Sequence, residues 1–543
     1  MKKPRRLDAL IVGAGFAGLY MLHKLRQDGF TTQVVEKGSG VGGTWFWNRY
    51  PGARCDIPSI EYSYSFDAEL EAEWRWSERY AAQPEILRYL EHVAERFDLR
   101  RDIALQTLVT SARWQEEEGR WLVETDGGDA YDVQFLILAT GALSEPKQPD
   151  IPGLENFEGQ VLHSAMWDDS ADLAGKNVCH FGTGSTGIQV VGEVAKVAKR
   201  LTVFQRTPNF AVPAGNHPLP QDYLEDLLPR YPELRERART SPLGWFHGAW
   251  EGSAKADDPE AREKRLEKAW KAGTTGLLQA YEDLLFDEES NSYAADFARR
   301  KIAELVDDPE TARKLTPHGY PMGSRRLCTE VNFYEAMNRD NVALVDVREE
   351  PVVDVTARSV KAEKGEYPAD VIILATGFDA CVGAIKAIDI RGRDGRSIRD
   401  EWDNGPRAYL GLAVEGFPNM FTITGPGSPS VLSNVVVSIE QHVEWVARCT
   451  AHMRSAGQQV IEATAEAETA WMEHAHEVAH STLFPRASSW YQGHTKDGRQ
   501  VFMPYVGGVG AYRAKCDEVA AKGYEGFLME SSTTMRTKDA VAS

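Results

Sequence analysis

Two glycine-rich turns carry the residue types and spacing that point most directly to chemistry. The first, in LDALIVGAGFAGLYMLHKLRQDGFTTQVVEK, sets Gly13, Gly15 and Gly18 in the pattern G-x-G-x-x-G. Gly13 permits a tight turn and Gly15 lets backbone approach a pyrophosphate. Gly18 lets the following helix pack closely on the strand, with its N-terminus toward the phosphates. Glu36 ends the next strand, where a carboxylate accepts hydrogen bonds from ribose hydroxyls. The second turn, in NVCHFGTGSTGIQVVGEVAKVAKRLTVFQRT, repeats the pattern with Gly182, Gly184 and Gly187. Where the first copy has its acid, this one has Gln205-Arg206-Thr207. An acid would repel a ribose 2′-phosphate, whereas Arg206 can pair with it through a planar donor fork. The first turn therefore suits FAD, and the second suits NADPH over NADH.

A third pattern competes with these. His476-Glu477-Val478-Ala479-His480 matches H-E-x-x-H, which on a helix sets two imidazoles one turn apart beside a carboxylate for a zinc-bound water. No third ligand follows by spacing, and EATAEAETAWMEHAHEVAHSTLF reads as a surface helix. Zinc hydrolysis would also leave both nucleotide turns unused, so no metal is expected.

The elements that must position these groups are strand–turn–helix–strand units. Each opens on a short continuous apolar run, the pattern of a strand covered on both faces. Two further apolar strands, QFLILATGAL (134–143) and DVIILATGFDA (370–380), end in Ala-Thr-Gly, whose glycine permits a close turn beside a cofactor. Between 218 and 324 the sequence turns charged and helix-forming and loses its G-x-G patterns. The expected architecture is α/β, with two Rossmann-like dinucleotide-binding domains and a helical insertion. The FAD-binding part is expected over 1–145 and 378–543, the NADP-binding part over 146–217 and 325–377, and the insertion over 218–324.

Composition narrows the function classes. A chain of 543 residues implies two or three domains. The net charge of −20 disfavours nucleic acid and anionic membranes as partners. The six cysteines include no C-x-x-C, which argues against a disulfide framework, a zinc ribbon or a dithiol centre and fits a reducing cytoplasm. MKKPRR followed by LDALIVGAGFAGLYML imitates a signal peptide, but Asp8 interrupts the apolar run and the glycine fingerprint fills it. No run reaches the roughly 18 apolar residues of a membrane span. The expected location is cytoplasmic, and oligomeric state is not legible.

One stretch has no obvious chemistry of its own. FEGQVLHSAMWD, Phe157 to Asp168, holds the spacing F-x-G-x-x-x-H-x-x-x-W. It resembles the signature of the Baeyer–Villiger monooxygenases, flavoproteins that insert oxygen beside a ketone carbonyl, at Phe157, Gly159, His163, Trp167 and Asp168. GGTWFWNRYPGARCD resembles a second signature of that family, with Gly43, Trp45, Tyr50, Pro51, Gly52 and Asp56 in register. The likeness runs over essentially the whole chain. GPGSPSVLSN (425–434) is similar to the longer active-site loop of the phenylacetone and steroid monooxygenase branch.

The resemblance implies a mechanism and a set of residues. NADPH reduces FAD, the reduced flavin takes up O₂ as a C4a-peroxyflavin, and this converts a ketone to an ester or lactone. Arg326, in GYPMGSRRLCTE, matches the family's catalytic arginine, a fixed cation beside a negatively charged intermediate. Asp56 matches the carboxylate that pairs with it. Further implied flavin contacts are Phe16, Thr44, Trp45, Tyr62, Val109 and Val435, with Asp56 also at the cofactor. Implied NADP contacts are Arg54, Thr183, Gly184, Ser185, Thr186, Gly187 and Gln189, then Arg206, Thr207, Arg325 and Trp490. Arg325 departs from the family, which usually has Lys there. His163 is expected to hydrogen-bond backbone across a linker between the two nucleotide halves, coupling them without doing chemistry itself. The branch likeness implies aryl, bulky cyclic or steroid-like ketones, with some sulfoxidation. The alternatives are a flavin monooxygenase acting on sulfur or nitrogen, and a non-catalytic FAD- and NADP-binding redox sensor. Trp167, where sulfur and nitrogen oxygenases usually carry Tyr, favours ketones.

Overall fold

The structure, a computed structural model, describes residues 3–248, 250–495, 498 and 500–531. Two sheets carry the two glycine turns. The larger runs in the order Asp389–Arg391, Val109–Gln115, Arg120–Thr125, Ala130–Leu138, Arg5–Val12, Thr32–Val35 and Ile103–Ala104, with Met420–Thr422 also paired to Ala130–Leu138. The apolar run that imitates a signal peptide is thus a central strand. Its Ala9 and Ile11 join one buried core and Leu10 another, so both faces are covered. Helices Phe16–Gln27 and Val435–Ser455 pack on the first of those faces.

The second sheet has five parallel strands, ordered Val342–Asp346, Arg200–Gln205, Asn177–Phe181, Val371–Leu374 and Gln160–His163. The last of these lies in the stretch expected to be a linker. Residues 160–163 instead pair in register with 371–374, because Val371 to Leu374 needs a partner on its free edge. Trp167 then tucks under this sheet with Leu162 and Val178. Gly159 leaves no room for a side chain, since a Cβ there would stand 2.4 Å from the Asp370 carbonyl oxygen.

The helical stretch expected as an insertion over 218–324 does not form one body. Strands Ala211–Pro213 and Cys328–Glu330 pair at its base. Leu224, Tyr231 and Leu234, from its first helices, join the core of the larger sheet, where buried Arg235 donates to Glu71 at 2.7 Å. Helices Pro259–Ala272 and Glu288–Leu305 form a separate core around Trp270, Tyr281 and Phe297. Among the described residues no helix is long and apolar enough to cross a membrane.

Candidate active site

The two glycine turns face each other across one cleft of about 1830 Å³. Each turn is built alike. Gly13 has φ +107° and Gly182 has φ +109°, a region that favours glycine. A Cβ on Gly13 would stand 2.5 Å from the Ala139 carbonyl oxygen, and one on Gly182 would stand 2.4 Å from that of Ala375. Those alanines open the two Ala-Thr-Gly segments, so each segment closes against the first glycine of its own turn. Gly18 and Gly187 sit against the carbonyls of Gly13 and Gly182, where a Cβ would fall within 1.8 and 2.1 Å. The helices that follow, Phe16–Gln27 and Ser185–Val197, start at Gly15 and Gly184 with no side-chain cap and no acid in the first turn. Their first N–H groups are therefore available to a pyrophosphate.

Around the first turn, Glu36 is buried and accepts from the N–H groups of Ala14 and Gly38, each at 2.8 Å. Its other lone pairs remain for ribose hydroxyls. Phe16, Thr44, Trp45, Tyr62, Val109 and Val435 all line the cleft. Trp45 Nε1 donates to the Tyr62 hydroxyl at 3.3 Å. Val435 opens the 21-residue helix Val435–Ser455, which directs another helix N-terminus at the same space.

The second turn has a basic corner. Arg206 and Thr207 line the cleft with Arg325. Arg325 stacks over Tyr320 at 5.0 Å. Burial lowers its pKa, and Arg206 and Arg348 lower it further. Its Nε is buried without a partner. Arg206, Arg325 and Arg348 make no ion pair among the described residues, so positive charge is gathered there without compensation. That is a fit for a phosphate and a misfit for a bare ribose. Arg348 was not singled out from the sequence; only the return of strand Val342–Asp346 beside Arg200–Gln205 brings it to the corner.

Between the turns lies the fork. Arg326 Nε and Nη2 donate to the two carboxylate oxygens of Asp56, each at 2.8 Å, and Nη1 donates to the Val431 carbonyl at 2.7 Å. The side chains are 28% and 21% exposed, both into the cleft. Burial works against the Arg326 charge, but the facing carboxylate outweighs it and holds the guanidinium firmly protonated. Tyr491, also missed from the sequence, faces the same guanidinium; burial pushes its phenol up to about 12 while Arg326 pulls it down. Its neighbour Trp490 lines the cleft and packs on the Tyr491 ring at 4.4 Å.

Other sequence candidates fall in different places. Thr183, Ser185, Thr186 and Gln189 line the cleft, although the Gln189 amide is engaged by Tyr50 and the Arg54 carbonyl. The Arg54 guanidinium turns to Glu78 at 2.7 Å. Phe157, Gly159, His163, Trp167 and Asp168 are absent from the cleft wall. His163 Nδ1 accepts locally from the Ala165 N–H at 3.1 Å, and its Nε2 is buried without a formed hydrogen bond. Burial lowers its pKa, offset in part by the Lys147 backbone. Asp168 caps Ser170, accepting from its N–H at 2.9 Å. His476 and His480 do sit one turn apart on helix Ala465–His480, rings 3.9 Å apart, but among the described residues no third metal-ligating group joins them.

Comparison with known proteins agrees with this geometry. Residues 10–218 match the family described as pyridine nucleotide-disulphide oxidoreductase. An acetone monooxygenase (methyl acetate-forming) from Gordonia sp. is 42% identical, over 96% of this chain and 99% of that protein. A phenazine N-monooxygenase from Lysobacter antibioticus is 41% identical, over 96% and 97%. Among solved structures, an oxidised steroid monooxygenase bound to NADP is 47% identical, with a TM-score of 0.93 over 97% of this chain and all of that one. The chain belongs to the Baeyer–Villiger monooxygenase family. The disulphide in the name of the matching family model has no counterpart here, since all six cysteines are free and buried.

Proposed function

We propose that this Baeyer–Villiger monooxygenase converts ketones to esters or lactones with FAD, NADPH and O₂. The observation that carries the reading is the Arg326–Asp56 fork set in one cleft between two complete dinucleotide turns. The uncapped helix at Gly15, with Glu36, would hold FAD, and the uncapped helix at Gly184, with Arg206 and Arg325, would hold NADPH. Bound FAD, once reduced by NADPH, supplies the activation of O₂.

The chain supplies the rest. Arg326 keeps its charge at any working pH and aims its remaining N–H groups at oxygen that becomes negative during insertion. Asp56 orients the guanidinium through two parallel bonds, and the Val431 carbonyl fixes the third side. Trp490 and the wall from Val431 to Val435 line the cleft and can exclude water. Aryl, bulky cyclic or steroid-like ketones are the proposed substrates, supported by the steroid monooxygenase likeness.

The purified protein is expected to be yellow and to oxidise NADPH faster when a suitable ketone is present, with ester or lactone formed. NADPH consumption that yields only hydrogen peroxide across a broad ketone panel would sink the proposal. Oxygenation of nitrogen or sulfur is the second reading, favoured by the phenazine N-monooxygenase relative. Paired ketone, thioether and aromatic-amine substrates, with products identified, separate the two.

A further inference from the structure

The reaction proposed above needs the NADP-side helix held in register with the segment that carries Asp56. That segment, Tyr50 to Asp56, touches the NADP side twice. At one end Asp56 meets Arg326, which leads into the strand Cys328–Glu330. At the other end two side chains of helix Ser185–Val197 reach Tyr50: Thr186, whose Oγ1 lies 3.4 Å from the Tyr50 hydroxyl, and Gln189, which makes the shorter contact. Gln189 Oε1 accepts from the Tyr50 hydroxyl at 3.0 Å, and its Nε2 donates to the Arg54 carbonyl at 3.0 Å. A carbonyl can only accept, so the amide has one orientation that satisfies both partners. Burial keeps the Tyr50 phenol protonated, with its pKa raised to about 12.

Between these two contacts the turn lies flush on the helix. Gly52 has φ +83°, and a Cβ there would stand 2.6 Å from the Gln189 carbonyl oxygen and 3.0 Å from Glu193 Cγ. The backbone of the second signature therefore fits the helix only because position 52 has no side chain. Each end of the Gln189 amide holds a partner in the FAD-side segment, so its orientation is set before any cofactor arrives.

We propose that Gln189, with Tyr50 and Gly52, is a positioning residue for oxygenation. It fixes the NADP-side helix against the Arg54–Asp56 backbone, and through Asp56 it sets the direction of the Arg326 fork. The inference rests on the functional reading given above, and its test is chosen to stand apart from it.

The test uses the FAD-loaded enzyme carrying Gln189→Leu, Tyr50→Phe or both. Three quantities are read: ester formed per NADPH consumed, the NADP⁺ dissociation constant by titration, and hydrogen–deuterium exchange of the backbone amides of residues 53–57. Each single variant is expected to lower ester per NADPH by about three-fold or more, with the double variant losing clearly less than the product of the two single losses, because Tyr50 and Gln189 share one contact. NADP⁺ binding should stay within about three-fold of wild type while exchange at 53–57 speeds up. Tyr50→Phe removes one oxygen and keeps the ring, so it serves if the leucine variant folds poorly. If Gln189→Leu weakens NADP⁺ by more than about ten-fold while Tyr50→Phe does not, Gln189 is a cofactor ligand and the proposal falls. It falls equally if both variants match wild type in yield and exchange. A wild-type enzyme that forms no ester would remove the functional reading, while the exchange and titration arms would still decide the role of Gln189.

Discussion

Replacing Arg326 tests the central claim. A guanidinium has about five N–H donors, and three are engaged by Asp56 and Val431, which leaves about two for the reacting oxygen. Losing one donor to a developing oxyanion costs about 2.7–4 kcal/mol, or roughly 10²–10³ in rate. Arg326→Ala removes those donors and the charge together, so ketone oxygenation should fall by about 10³ or more. Arg326→Lys keeps the charge but cannot span both Asp56 oxygens, and should retain more activity than alanine, at about 1–10% of wild type. FAD content should be normal in both, because the residues of the Gly13 turn are untouched. NADPH oxidation should continue, with hydrogen peroxide replacing ester. The assay is ester by gas chromatography beside peroxide by a coupled peroxidase. Arg326→Ala with normal FAD and more than about a tenth of wild-type ester formation would refute the reasoning.

Other predictions concern the turns and the buried charges. Gly182→Ala should leave the protein yellow but abolish measurable NADPH oxidation, whereas Gly13→Ala should yield colourless protein; each Cβ would collide with a backbone carbonyl, at 2.4 and 2.5 Å. Flavin loss in both would contradict two separate sites. Arg206→Ala and Arg348→Ala should each lower kcat/KM for NADPH by about ten-fold or more while leaving NADH almost unchanged. Equal losses with both cofactors would count against the phosphate corner. Glu61 is buried against the Phe246 N–H, and burial raises its pKa to about 7. The folded state thus holds a proton that the unfolded chain has released above about pH 4.5, so Glu61 destabilises the fold progressively as pH rises to 7. Glu61→Gln should raise the melting temperature at pH 8 more than at pH 5; an equal change at both would show that Glu61 does not titrate in this range.

The nucleotide units were legible because their physics is local. Gly18 must be glycine on account of the Gly13 carbonyl, and Gly187 on account of Gly182, five residues earlier in each case. Apolar runs marked the covered strands for the same reason. The 157–168 stretch misled as a linker because a four-residue edge strand has too short a pattern to declare itself, and its partner lies at 371–374. The insertion looked uniform by charge, yet its helices divide between two cores according to which apolar faces they meet.

What the sequence alone determined, therefore, is that two dinucleotides can be bound and which of them meets an arginine in place of an acid. Only the tertiary structure decided how those sites become one. The Arg326–Asp56 fork joins positions 270 residues apart, and Gln189 reaches Arg54 across 135. Tyr491 comes against Arg326, and the charge of Arg348 comes near Arg325, in the same way. Spacing encodes contacts within a turn or along an element, but contacts between elements depend on how the sheets and helices pack. Those contacts set the direction in which the guanidinium points.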